Sequence, residues 1–409
     1  MSDTTQTDLG GRFEPQSALA GLQTKAWVVG AVGAAALALA YFTGDHHAFQ
    51  RAYLVAWMWL ICIALGLFAI GMLGHITGGE WAVMLRRLSE ASGRTLPFVA
   101  VLGLPIVLQV GEIYSHWAKP ELLDPSSDYF DPVIVHKSPW LNVGGWTTRA
   151  VLYFVLWSGL AYVLSALSKR YEETGNVAVR ERMKKVAAGG IVFYVLACTF
   201  ASVDWVMSLD PHWFSSLFGF VFVGGQGLAA FAFCVLALVW LRQGEPYAST
   251  IRLKLFHDVG KLMLAFTMLW GYFMISQYLI IWSGNLPEEI AWYIDRNTHG
   301  WKALSFGLVV GHFFLPFLLL LSADLKKKPK LLAIVAVWVL AMRWLDYYWQ
   351  IAPSLHHEGE AVHVLPGWVD LVAPIALGAI WLALLIGQFK GRSALPSKDP
   401  ILQEVVSHG

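Results

Sequence analysis

The sequence predicts an all-α integral membrane protein of ten transmembrane helices. They form two parallel-repeat four-helix bundles (helices 2–5 and 6–9) flanked by helices 1 and 10, with both termini cytoplasmic. Three observations predict this. Of 409 residues, 57% are hydrophobic and only 14% charged, whereas soluble domains carry about 25% charge. That is too little to coat a soluble surface of this size, so lipid is the expected solvent. Ten windows have the roughly 20 apolar residues that a hydrocarbon core about 30 Å thick requires. The Lys and Arg residues between those windows fall mostly on one side.

Residues 1–25 form a polar cytoplasmic tail with Asp3, Asp8 and Glu14. The tail lacks the basic start of a secretory signal, so helix 1 is expected to remain as an anchor. Helix 1 spans 26–43 in a flanking segment 26–50. Helices 2 to 5, at 51–75, 96–117, 147–168 and 186–207, make a first bundle over 51–213. Helices 6 to 9, at 214–241, 257–282, 301–322 and 330–351, make a second over 214–365. Helix 10, at 366–389, fills 366–390 and leaves a cytoplasmic tail at 391–409. The side of the termini carries 21 Lys and Arg, and the other side six: Arg51, Lys119, Lys137, Arg149, Arg296 and Lys302. Lys261 and Arg343 lie within helices. The positive-inside rule puts the termini in the cytoplasm.

The opposite side carries loop 118–146. It is acidic (Glu121, Asp124, Asp128, Asp131) and broken by Pro120, Pro125, Pro132 and Pro139. A connection this long is functional or disordered, and its aromatic and proline content suggests a folded docking surface. Trp117, Trp146, Trp205, Trp213, Trp282, Trp301, Trp349 and Trp368 fall at helix ends on this side. An interfacial aromatic belt places tryptophans this way; an electron relay is the alternative.

Composition also excludes classes. The formal net charge of +1 lacks the basic excess of a nucleic-acid binder. Cys62, Cys198 and Cys234 each stand alone. They give no disulfide frame, zinc knuckle, iron–sulfur spacing or CxxCH haem attachment. No cofactor is expected on this chain unless histidines alone hold a haem. The pair His75 and His312 suits that poorly, because one is terminal and the other central.

Helices 2–5 and 6–9 resemble each other. Helix 2 exits through Gly79-Glu80-Trp81 and helix 6 through Gly244-Glu245-Pro246. Helix 4 ends Leu164-Ser165-Ala166 before Lys169-Arg170, and helix 8 ends Leu321-Ser322-Ala323 before Lys326-Lys327. Asp204-Trp205 in helix 5 matches Arg343-Trp344 in helix 9. Four helices per unit make the repeat parallel, unlike the inverted repeats of many transporters.

Ionisable groups inside spans are expensive and therefore functional candidates. Here they are His75, Glu112, Asp204, Asp258, Lys261, His312, Arg343, Asp346 and Asp370, with His257, Gln109, Gln226 and Gln277 beside them. Each has a bland reading. Asp258 with Lys261, and Arg343 with Asp346, are three apart and can form structural ion pairs. His312 can be a neutral histidine bonded to a carbonyl, His75 a helix-end residue, and Asp370 a solvated interfacial group. Glu112 has no charged partner in its helix; burial there would favour its neutral form, which suits a proton carrier. Ordered by depth, these groups make a ladder. It runs from His75, His257, Asp258 and Lys261 through Gln226 and His312 to Glu112, Asp204, Arg343 and Asp346. Such chains relay protons in pumps and transporters.

The segment Ser202-Val203-Asp204-Trp205-Val206-Met207-Ser208-Leu209-Asp210-Pro211-His212-Trp213 is the most specific motif. With Asp258-Val259-Gly260-Lys261 and Trp282-Ser283-Gly284-Asn285, it resembles the NrfD/polysulfide-reductase membrane-subunit family. It is most similar to the F-type ten-helix subunit of alternative complex III, a quinol:electron-acceptor oxidoreductase. The resemblance covers 26–390. It implies two four-helix bundles, a bacterial inner membrane, a homologous ten-helix partner subunit, and iron–sulfur and haem c subunits carrying the redox centres. Family quinol sites lie near the periplasmic surface and use the aspartate matching Asp204, and the carry-over stops there; Arg343 is the neighbour that this sequence itself offers for taking part in quinol oxidation. The F-type subunit sits away from the iron–sulfur cluster, which implies proton conduction or structural support as its task. A quinol site at Asp204 and Arg343 and an independent transporter are the other readings.

Overall fold

The computed structural model describes residues 17–44, 46–298, 300–355, 364–390 and 392–407. Most of the predicted N-terminal tail, part of the segment 214–365 and the end of the C-terminal tail lie outside the described residues. Among the described residues the chain is helical, with no β-strand. Ten helices are long and apolar enough to cross a bilayer: α1 (Leu19–Thr43), α2 (His46–Thr77), α3 (Glu80–Leu108), α4 (Val143–Thr174), α5 (Val177–Leu209), α6 (Phe218–Leu241), α7 (Leu253–Gly284), α8 (Trp301–Leu321), α9 (Pro329–Leu355) and α10 (Trp368–Gly387). This is the architecture of a multi-pass membrane protein.

Each predicted window overlaps one of these helices, but the bounds of α3 are displaced. It starts at Glu80 rather than 96, because its charges are satisfied by protein rather than by solvent. Arg87 bonds Glu90 at 2.8 Å and pairs with Glu172, Arg86 reaches Asp399 at 2.6 Å, and Arg94 donates to Ser165 at 2.9 Å. Charges paired this way can be buried, although they interrupt an apolar run. At the other end the helix breaks at Gly103 and again at Gln109. Residues 110–118 continue as single turns, so Glu112 lies beyond the span and is exposed. Likewise α1 begins before the predicted 26, where Leu19 and Leu22 line an apolar cavity together with Leu382, Leu385 and Ile386 of α10.

Packing follows a closed order. α2 touches α3 and α5, α3 touches α4, and α4 touches α5; α6 touches α7 and α9, α7 touches α8, and α8 touches α9. α2 and α6 cross at the centre, and α1 lies along α10, which rests on α2 and α3. At the central crossing Gly66 meets the backbone of Gln226 so closely that a Cβ would collide with the Gln226 carbonyl oxygen. Small residues permit such helix contacts in membranes. Gln23 donates to the Ala383 carbonyl at 2.9 Å, which joins the start of α1 to the end of α10. The helix Pro400–Ser407 packs on the start of α3. Both described ends therefore lie on one face.

Two sequence expectations are corrected. Of the eight tryptophans assigned to a belt, Trp117, Trp146, Trp205, Trp213, Trp301 and Trp349 are buried, and only Trp282 and Trp368 face outward. Their rings are taken up by packing inside the protein, and two of the indoles also donate there, Trp146 to the Asp204 carbonyl at 2.8 Å and Trp349 to the Ser305 hydroxyl at 2.8 Å. Asp370 is buried rather than solvated: it pairs with Arg51 at 2.8 Å and accepts from the Gly367 N–H at 2.8 Å.

Candidate functional site

The deepest polar constellation sits on α9. Arg343 and Asp346, three apart on one helix face, form an ion pair with both side chains fully buried. The guanidinium lies against Gly225 of α6, where a Cβ would collide with it, and over the Tyr347 ring, 4.3 Å from its centroid. Cys62 of α2 adjoins Arg343 and Tyr347. The pair is incompletely satisfied. Arg343 Nε and Nη2, Asp346 Oδ1, the Tyr347 hydroxyl and Gln350 Nε2 are buried without a hydrogen-bond partner. Trp270 and Gln350 stand beside Asp346 without completing bonds of good geometry. Buried polar groups are normally bonded, and exceptions call for a physical reason. A buried charge pair with spare donors and acceptors is poised to exchange partners.

His312 of α8 adds to this constellation. It is fully buried, neither ring nitrogen has a partner, and its ring centroid lies 4.1 Å from that of Trp270. The local backbone explains its position. Pro316 lacks the N–H that would bond four residues back, and Val309–Phe314 widens into a π-turn. In that turn the Leu315 N–H bonds the Val310 carbonyl, which leaves the Gly311 carbonyl to accept from Trp338 Nε1 at 2.7 Å. Such turns recur at functional sites.

Beside these groups lies a cavity of about 340 Å³ lined by α7, α8, α9 and the connection after α7; Asp346 contributes to its wall, with Trp270, Trp349, Tyr293 and Phe313. α7 packs on α8 through Leu315–Leu321, whereas Trp301–Leu308 packs on α9 instead. The two helices are thus splayed toward the loop-bearing face. The volume is far more than one water needs and matches a small-molecule pocket. At its end Gln277 donates to the Tyr293 hydroxyl at 3.0 Å. Burial pushes the Tyr293 phenol up to about 12, so it stays neutral at physiological pH. Behind it Arg296 stacks on Trp292 at 3.6 Å and donates to the Gln350 carbonyl at 2.6 Å. Burial lowers Arg296 to about 9, which leaves it cationic at neutral pH.

Asp204 forms a separate cluster. It is fully buried and takes two bonds from Arg149, each 2.8 Å, one from Trp140 Nε1 at 3.0 Å and one from the Tyr153 hydroxyl at 2.8 Å. The expected pairing of Asp204 with Arg343 is therefore not formed; Arg149 takes that place. The rest of the motif fastens loop 118–146 and the turns before it. His212 Nε2 lies 2.7 Å from Asp131 Oδ2, Lys137 donates to the Pro211 carbonyl at 2.6 Å, and Tyr114 donates to the Trp205 carbonyl at 2.9 Å. With its acceptor positions filled, Asp204 is a clamp.

The other predicted residues stand apart. Glu112 is exposed and bonded to Gln50. Asp258 and Lys261 pair at 2.8 Å on the opposite face, with Lys261 half exposed. Lys261 is nine residues from Trp270, about 13 Å along the helix. His75 is half-buried at the end of α2, near Arg86 and Glu90. Gln226 bonds Tyr194. Among the described residues no hydrogen bond joins Asp204 to the Arg343 pair, so the ladder reduces to its upper cluster of Arg343, Asp346 and His312. Sequence reasoning missed Arg149, Trp140, Tyr153, Tyr293, Tyr347 and Cys62. Cys, Tyr and Trp fall in the hydrophobic class of the composition, and Arg149 counts only among the six charges of the side opposite the termini. Among the described residues no group of three or more His, Cys, Asp or Glu could hold a metal ion. No family model matches the chain, and no curated protein matches it.

Proposed function

We propose that this chain is a proton-conducting membrane subunit of a bacterial respiratory quinol:electron-acceptor oxidoreductase of the alternative complex III type. The observation that carries the reading is the buried Arg343–Asp346 pair with its unpartnered atoms beside His312. Protonation of Asp346 weakens the pair and frees Arg343 donors for another acceptor, and the unpartnered His312 nitrogens are the groups that can take the proton onward. Proton transfer requires groups that change partners within hydrogen-bond reach. The two closed orders of helix contact support a duplicated four-helix unit, and the shared face of the chain ends, rich in Lys and Arg, supports a cytoplasmic location for both termini. On this reading the chain itself performs no redox step. A homologous ten-helix subunit, an iron–sulfur subunit and haem c subunits supply the redox centres. The test is proton release per electron in liposomes holding the intact complex. Asp346→Asn should lower it while quinol oxidation continues, and Glu112→Gln should leave it unchanged. An unaltered ratio in Asp346→Asn overturns the relay.

The cavity favours a second reading. Its aromatic walls, apolar mouth and carboxylate suit a quinone or quinol ring entering from the bilayer between α7 and α8, rather than at Asp204. A photoreactive quinone labelling Trp270 or Phe313 would support it; labelling confined to the partner subunits would exclude it. Purification as a lone chain, without haem or iron–sulfur proteins, would favour an independent transporter instead.

A further inference from the structure

We infer that the junction of α7, α8 and α9, on the face carrying the chain ends, is a binding site for the headgroup of an anionic phospholipid. Lys326, in the turn between α8 and α9, is 5% exposed. Its stem lies across Gly260 of α7, where a Cβ would meet the Lys326 Cγ at 2.8 Å; only a residue without a side chain lets it lie so close. It makes no ion pair among the described residues. Asp258 is held by Lys261 at 2.8 Å, and Asp324 is exposed without an ion pair. The neighbours of Lys326 are instead cationic. Lys261 is close enough, after burial, to push the Lys326 ammonium below its usual range, and His257 feels Lys261, Lys326 and Lys327 together. Lys328 and Lys330 flank the first residue of α9, whose N-terminus lacks a side-chain cap. The stem of Lys326 is buried while Lys261, Lys327, Lys328 and Lys330 around it are exposed, a concentrated positive patch that attracts an anion.

The surroundings identify its source. Leu318 and Leu321 of α8 and Leu331 and Ile334 of α9 are exposed next to the lysines. A strip of apolar side chains running from a cationic cluster matches a phosphodiester with acyl chains below it, and basic pockets at this membrane level recruit anionic lipid. A soluble phosphate would gain nothing from the strip.

The test uses the full-length, delipidated protein in detergent, titrated with phosphatidylglycerol, phosphatidylcholine or inorganic phosphate and read by native mass spectrometry and thermal unfolding. Phosphatidylglycerol should bind and raise Tm, and the other two should not. Lys326→Gln and Lys261→Gln should each weaken phosphatidylglycerol binding about fivefold. Lys184→Gln, exposed on α5 near the same face, should not. Equal stabilisation by phosphatidylcholine or inorganic phosphate overturns the inference, as does unchanged phosphatidylglycerol affinity in Lys261→Gln. Lys261 is half exposed, so that variant decides the matter even if Lys326→Gln fails to fold.

Discussion

Two buried aspartates sit in opposite chemical states. Asp204 is saturated by four bonds from Arg149, Trp140 and Tyr153, whereas Asp346 keeps an unpartnered oxygen beside a cavity. Removing one partner of a buried pair costs about 3 to 5 kcal/mol. Asp204→Asn should therefore lower thermal stability by about 3 kcal/mol, the lower end because Arg149 keeps slight solvent contact, and leave proton flux per folded molecule unchanged. Normal stability with lost flux would reverse the two roles. Gly225→Ala should act on Arg343 instead. Its new methyl displaces the guanidinium, so flux should fall at least tenfold while Tm drops by only a few degrees; native flux would show that Arg343 has another resting place. Sequence reading picked out both aspartates, because a charge in an apolar span is conspicuous. It could not tell clamp from carrier, since the difference lies in Arg149 and Tyr153, which arrive from another helix.

At the scale of elements, hydropathy located every crossing but misjudged α3, whose charged first half is buried against α4 and the C-terminal segment. Hydropathy assumes a charge faces water; here arginines face glutamates and carbonyls inside the protein. The π-turn of α8 was legible only as Pro316, because a missing N–H predicts a local defect without its shape. The α2–α6 crossing was not legible at all, since glycine carries no periodic signal. That crossing gives a sharp expectation. At Gly66 the obstacle is the backbone of Gln226, which cannot rotate away, so Gly66→Val should cost about 3 kcal/mol, the upper end for overpacking. A cost below 1 kcal/mol in denaturation experiments would mean that α2 and α6 slide apart freely.

The whole molecule is polarised, although its net charge is only +1. The sequence assigns 21 Lys and Arg to one side and six to the other, and the structure brings both described chain ends to a common face. The positive-inside rule acts on short connections, and those of the richer face, such as 78–79 and 175–176, are short. The long loop 118–146 lies on the other face and is fastened there by the Asp204 cluster. Orientation is therefore testable with a single reactive thiol. Cys62, Cys198 and Cys234 are all buried, so the native chain should be silent toward a membrane-impermeant maleimide. Asp128→Cys in the outer loop should label in intact cells at once. Glu181→Cys, exposed near the start of α5, should label only after the membrane is opened. Labelling in the reverse order would invert the molecule and put the Asp346 cavity at the cytoplasmic side. Labelling of both sites in intact cells would mean that one of the ten helices does not cross, and the even alternation on which the 21-to-six division rests would fail with it.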